Sequence, residues 1–141
     1  MKEENQRHHG LYDALNDLKH LQDLLANSWS KYYGHLFSKL VGSDTIPFYF
    51  ITKECKPFTV INPKTHTATS YFRIEAIDKS QVTLTLLRAF DLDDQDTNIM
   101  TDMIRLEKTE AQLTVNLHSM LAIQLLEPAL LGGKFYIESK W

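Results

Sequence analysis

The residues best suited to chemistry lie in the acidic run 91–102. Asp91, Asp93, Gln95 and Thr97 fall on the odd-numbered positions of a calcium-binding loop, where oxygen ligands recur at every second residue. The match then fails. Asp96 stands where such a loop needs glycine for its sharp turn, and Asp102 replaces the bidentate glutamate. A solvated loop is the better reading. Six histidines invite a metal. His8 and His9 are adjacent in a polar N-terminal run, and His20, His35, His66 and His118 show no ligand spacing such as i, i+4. No metal site is expected. Cys55 is the single cysteine, set between Glu54 and Lys56. It has no partner for an internal bridge, so its best functional use is a disulfide to another chain. There is no Gly-x-Ser-x-Gly elbow, and five glycines leave little material for a phosphate-cradling loop. A catalytic triad needs a nucleophile beside a base, and a loop thiol such as Cys55, although Lys56 can lower its pKa, is more often incidental than nucleophilic. The expectation is a protein that is not an enzyme and carries no cofactor.

The composition narrows the partners. Net charge is −3 and the Lys and Arg residues are scattered singly, which argues against a phosphate-binding surface and so against nucleic acid. No window approaches the ~20 apolar residues of a membrane span. The N-terminus lacks the apolar stretch of a secretory signal, so synthesis in and retention by a cytosol is expected. With 141 residues, 43 % hydrophobic and 23 % charged, one domain with its own core is expected over 10–141, after a disordered tail over 1–9.

Two periods organise that domain. Leu11, Leu15, Leu18, Leu21 and Leu25 recur at three- and four-residue steps, which predicts one apolar helix face. The helical segment is expected to run over 10–41 and to end at Gly42. Beyond it the period becomes two. Strands are predicted over 46–51, 58–61, 71–77, 81–90, 111–117, 120–126 and 135–137. The pair 71–77 and 81–90, joined by Asp78-Lys79-Ser80, is the clearest hairpin. The nearly continuous apolar run 120–126 reads as a buried strand. Strands that follow one another through short turns imply an α+β, mainly β fold: an N-terminal helical segment, then an antiparallel β-sandwich or barrel over 46–137.

Aromatic residues supply candidate contacts. Trp29, Tyr32 and Tyr33 are neighbours on the helical segment, and Trp141 ends the chain. Each can pack in the core or anchor a partner, since Trp and Tyr are enriched at interfaces. With Cys55 they form the set of candidate intermolecular contacts.

The strands resemble those of the CotY/CotZ/ExsY family of bacterial spore coat and exosporium basal-layer proteins. Asp44-Thr45-Ile46-Pro47-Phe48 opens the likeness. Tyr71-Phe72-Arg73-Ile74-Glu75, Val82-Thr83-Leu84-Thr85-Leu86-Leu87-Arg88, Leu106-Glu107-Lys108-Thr109, Val115-Asn116-Leu117 and Ala122-Ile123-Gln124-Leu125-Leu126 follow in the same order. The resemblance covers about residues 40–130. It implies a structural, non-enzymatic protein of the spore surface, made in the mother cell, that self-associates as a homo-oligomer or docks onto cysteine-rich relatives. The family carries cysteines where this chain has Ser80-Gln81, and again where it has Ser119, Leu121 and Leu125. This chain is therefore a cysteine-poor member, in which Leu121 and Leu125 are expected to restore apolar burial.

Two other readings compete. A small-ligand or metal-binding β-domain requires convergent polar groups in a deep pocket, for which His66, His118, Arg73 and Arg88 are the residues to inspect. A soluble adaptor of coat assembly requires a stable complex with a relative and no self-assembly.

Overall fold

A computed structural model of the chain describes residues 2–26, 45–126 and 136–138. Helix α1 spans Lys2–Ala26. It begins inside the segment expected as a tail, because 2–9 holds Lys, Glu, Gln and Arg, which are good helix formers, and no proline. The remainder of the expected helical segment, 27–41, lies outside the described residues.

The buried face of α1 differs from the leucine ladder at one position. Leu15 and Leu18 are buried, but Leu21 is 44 % exposed and Gln22 is 1 % exposed. Steps from 15 to 18 to 22 follow the 3.6-residue period, whereas 21 drifts off the face. A polar residue therefore holds a core position.

Eight strands follow: β1 (Phe48–Thr52), β2 (Val60–Ile61), β3 (Ala68–Thr69), β4 (Phe72–Asp78), β5 (Gln81–Phe90), β6 (Arg105–Asn116), β7 (Met120–Leu125) and β8 (Tyr136–Glu138). Six form one sheet in the order β7-β1-β4-β5-β6-β8, and β2-β3 is a small ribbon beside it. The fold is α+β and mainly β, with a helix first and an antiparallel succession after it. One pair departs from that rule, since β8 lies parallel to β6. The β4–β5 hairpin closes through Lys79-Ser80, with Asp78 opposite Gln81. Lys79 takes a positive φ of 50°, as tight hairpin turns require. β6 starts six residues before the expected strand, at Arg105. Its first half is charged, so alternation is weak there, and its register shifts opposite Thr85–Leu87.

The sheet opens between β1 and β4. These strands pair only at Phe48↔Phe72. The Leu87 N–H bonds the Tyr71 carbonyl, so by antiparallel alternation Phe72 and Ile74 turn their backbone groups away from β5. The next rung toward β1 would join Ile46 to Ile74. Gln22 replaces it. Its Nε2 donates to the Ile74 carbonyl at 2.7 Å, and its Oε1 accepts from the Ile46 N–H at 3.3 Å. On the other side of the single rung the Phe50 carbonyl takes the Phe58 N–H at 2.9 Å.

Opening the sheet lets it wrap a core. Phe48, Phe50, Phe72, Ile74, Val82, Leu84 and Leu86 bury against Leu15 and Leu18 of α1. Phe48 and Phe50 meet edge to face at 5.3 Å, and Phe58 stacks near Phe72 at 5.9 Å. A second cluster lies on the reverse face, formed by Tyr71, Leu87, Ala89, Met103, Leu106 and Leu126.

Candidate interaction surfaces

The acidic loop is tied to the sheet by two arginines. Arg88 grips the Asp96 carboxylate with two bonds, at 2.5 and 2.8 Å. Arg105 holds Glu107 at 3.0 Å and also bonds Asp94. Both guanidinium groups lie against the Phe90 ring, at 4.9 Å for Arg88 and 4.0 Å for Arg105. The pairings Arg88↔Glu107 and Phe90↔Arg105 assemble this cluster at one end of β5–β6. The Asp91 carboxylate turns inward and accepts the N–H groups of Asp93 and Gln95 at 2.9 and 3.0 Å. Asp91, weighed as a calcium ligand, thus shapes the loop, and Asp94 and Asp96 anchor it to the sheet. Arg88 holds the Asp96 carboxyl below its usual value, and Asp96 raises Arg88 in turn.

The residues proposed for a converging polar pocket are dispersed. Arg73 donates to Glu75 at 2.6 Å and to the Thr45 hydroxyl at 3.1 Å, and Glu75 accepts from Thr85 at 2.5 Å. Arg73 pairs with Thr85, while Arg88 is two residues beyond Leu86. Alternation along the strand therefore sets Arg73 and Arg88 on opposite faces of the sheet. His66 sits in the β2–β3 turn at φ 58°, and His118 follows β6 in a 3₁₀ turn, Leu117–Ser119. Both are exposed. Among the described residues no group of three or more His, Cys, Asp or Glu could hold a metal ion, and no helix is long and apolar enough to cross a membrane.

A cleft of about 240 Å³ opens on the reverse face, lined by Tyr49, Pro57, Thr59, Ser70, Tyr71, Asn98 and Met100. Thr59 and Ser70 share a hydroxyl bond of 2.7 Å, and the Tyr71 hydroxyl donates to the Asn98 carbonyl at 3.4 Å. Burial, with Tyr49 nearby, raises the Tyr71 phenol to about 12. The cleft holds no charged side chain. Its lining is aromatic and hydroxyl-bearing, with Pro57 and Met100 supplying the aliphatic part. Its two tyrosines are absent from the candidates read in the sequence, because only the β1–β4 pairing brings them together.

The candidate contacts fare differently. Cys55 is exposed, on the turn after β1, at φ 63°. Trp29, Tyr32, Tyr33 and Trp141 lie outside the described residues. The 120–126 run forms a strand as expected, but it is an edge strand and not a buried one. Leu121 is 56 % and Leu125 42 % exposed, so apolar burial is not restored at these two positions within the chain. The reason is topological. Among the described residues β7 has β1 on one side and ends the sheet on the other, so its side chains lack one row of neighbours.

A comparison with protein families matches residues 26–128 to the spore coat protein Z family. Among curated proteins, spore coat protein Z of Bacillus subtilis (strain 168) is 33 % identical over 102 residues, covering 63 % of this chain and 68 % of the relative. No solved structure matches significantly. On the family match, which takes in most of the chain and every described strand before β8, the chain belongs to the spore coat protein Z family.

Proposed function

We propose that this chain is a non-catalytic structural component of the spore coat, which associates with copies of itself or docks onto related coat proteins. The observation that carries the reading is the family match over 26–128. The residues with chemical potential support it. Arg73, Arg88, Arg105, Glu75, Asp94 and Asp96 bond one another or their neighbours within the chain, which suits a rigid tile better than a reaction centre. Synthesis in the mother cell, and placement in the outer coat or exosporium, belong to the same proposal. Cys55 is then available for an occasional bridge between chains, and the assembly is mainly non-covalent.

Co-expression with Bacillus subtilis spore coat protein Z tests the reading, together with a fluorescent fusion followed through sporulation. Co-elution, and fluorescence that ends in the coat fraction, are the expected results. A fusion that stays diffuse and a chain that elutes apart from the relative would overturn it.

A further inference from the structure

We infer that the open edge of β7 pairs with β7 of a second copy, antiparallel and centred on Ile123. This inference rests on the self-association reading above and names its surface.

The Leu126 N–H bonds the Pro47 carbonyl, and the register sets Gln124 opposite Tyr49 and Ala122 opposite Ile51. Alternation then turns the backbone groups of Gln124 and Ala122 toward β1 and those of Ile123 and Leu125 outward. Among the described residues only one outward group is covered by a side chain. The Leu125 carbonyl accepts the Gln124 Nε2 at 3.3 Å, a weak bond that can exchange for a stronger one.

Exposed edges are normally blunted by lysine, proline or inward charge. β7 reads Met-Leu-Ala-Ile-Gln-Leu and has none of these. Its only such device is a bulge at Leu121, between the pairs Ile51↔Ala122 and Thr52↔Met120, which leaves 122–125 regular.

The pattern favours the chain's own copy. Antiparallel pairing about Ile123 sets Ile123 against Ile123 and Leu121 against Leu125 of the other chain, twice. Apolar meets apolar, and about four to six backbone hydrogen bonds form. Each copy carries −3, and an uncharged strand is where two such copies meet without local repulsion. The twofold axis stands perpendicular to the sheet, so both α1 helices, with Leu21 and Leu24 each 44 % exposed, fall on one face of the joined sheet. A strand of about 20 Å covers less than the roughly 800 Å² per partner of a stable interface. The contact is therefore weak alone, with dissociation in the range of about 10 µM to 1 mM, and is reinforced wherever copies are concentrated.

Sedimentation velocity across that concentration range tests it on the full chain. The wild type rises toward twice the monomer mass. The double variant Leu121→Lys/Leu125→Lys sets lysines opposite lysines and weakens pairing at least tenfold, as does Leu121→Glu/Leu125→Glu. An equimolar mixture of the two restores association, because Lys then faces Glu. Circular dichroism of both variants matches the wild type, since the substituted side chains are exposed. Association of the lysine variant at the wild-type level would overturn the inference while leaving self-association standing. Loss in both variants without recovery in the mixture would overturn pairing of β7 with itself. A wild type that is monomeric throughout would overturn the inference, and the docking form of the functional reading would then rest on co-elution with spore coat protein Z.

Discussion

Replacing Gln22 with leucine tests how the opened sheet is held. Leucine matches the volume closely, so no large cavity confuses the result. The substitution removes both arms of the amide bridge. The buried Ile46 N–H loses the bond at 3.3 Å, and the Ile74 carbonyl keeps only a long contact of 3.4 Å from Arg73. A buried donor left unsatisfied costs about 1–3 kcal/mol, and a weakened acceptor somewhat less. The gain from burying leucine offsets a part, so a net loss of about 2–3 kcal/mol is expected. For a domain of this size that is a fall in Tm of roughly 10 °C. Urea unfolding measures it, with an unchanged slope if the transition keeps its cooperativity. Gln22→Glu supplies an independent sign. The introduced carboxylate can accept from Ile46 but faces the Ile74 carbonyl without a proton. Its acid form restores the donor. Its folded pKa is therefore raised, so this variant is closest to the wild type at acid pH and loses stability as pH climbs through that raised value. A Gln22→Leu variant within about 0.5 kcal/mol of the wild type, or a Gln22→Glu variant indifferent to pH, would refute the amide bridge.

Other expectations follow from single sites. Phe72→Ala empties the centre of the aromatic cluster, where Phe72 is 0 % exposed, and should cost about 3–5 kcal/mol by chemical denaturation; a loss under 1 kcal/mol would contradict the packing. The Asp96 carboxyl is depressed by Arg88, so its contribution is complete above the ordinary value of 3.8 and lost as pH falls through the lower folded value. Protection of the Thr97 amide from hydrogen exchange, relative to the unfolded chain, should fall in that acid range, since Thr97 bonds Ala89 at 3.0 Å, and Asp96→Asn should abolish that fall. Tyr71, raised to about 12, should ionise after the ordinary tyrosines in an absorbance titration. Its neutral form stabilises the fold below pH 10, and that contribution is lost as pH rises from 10 toward 12; the late step should vanish in Tyr71→Phe. Cys55 is exposed at φ 63°, so it should react fully with a thiol reagent in the folded chain. Cys55→Gly should raise stability by up to about 1 kcal/mol by relieving the left-handed backbone.

Local pattern carried a good deal of this protein. The helix-then-strands order, the β4–β5 hairpin with its Lys79-Ser80 turn, and the strand at 120–126 are all written in periods of 3.6 and 2. Backbone geometry imposes those periods on any chain, whatever it folds against. The ordered matches across the strands likewise pointed to the family. What pattern could not carry was the third dimension. Leu121 and Leu125 look like core residues in a linear reading, yet an edge position exposes them. Arg73 and Arg88 look like partners, yet the pleat separates them by a sheet. Gln22 looks like a surface residue between leucines, yet the gap between β1 and β4 draws its amide inward. Each outcome depends on which strands lie side by side, and that is settled by contacts between residues far apart in sequence. Burial, strand pairing and the edge position of β7 therefore had to come from the tertiary structure.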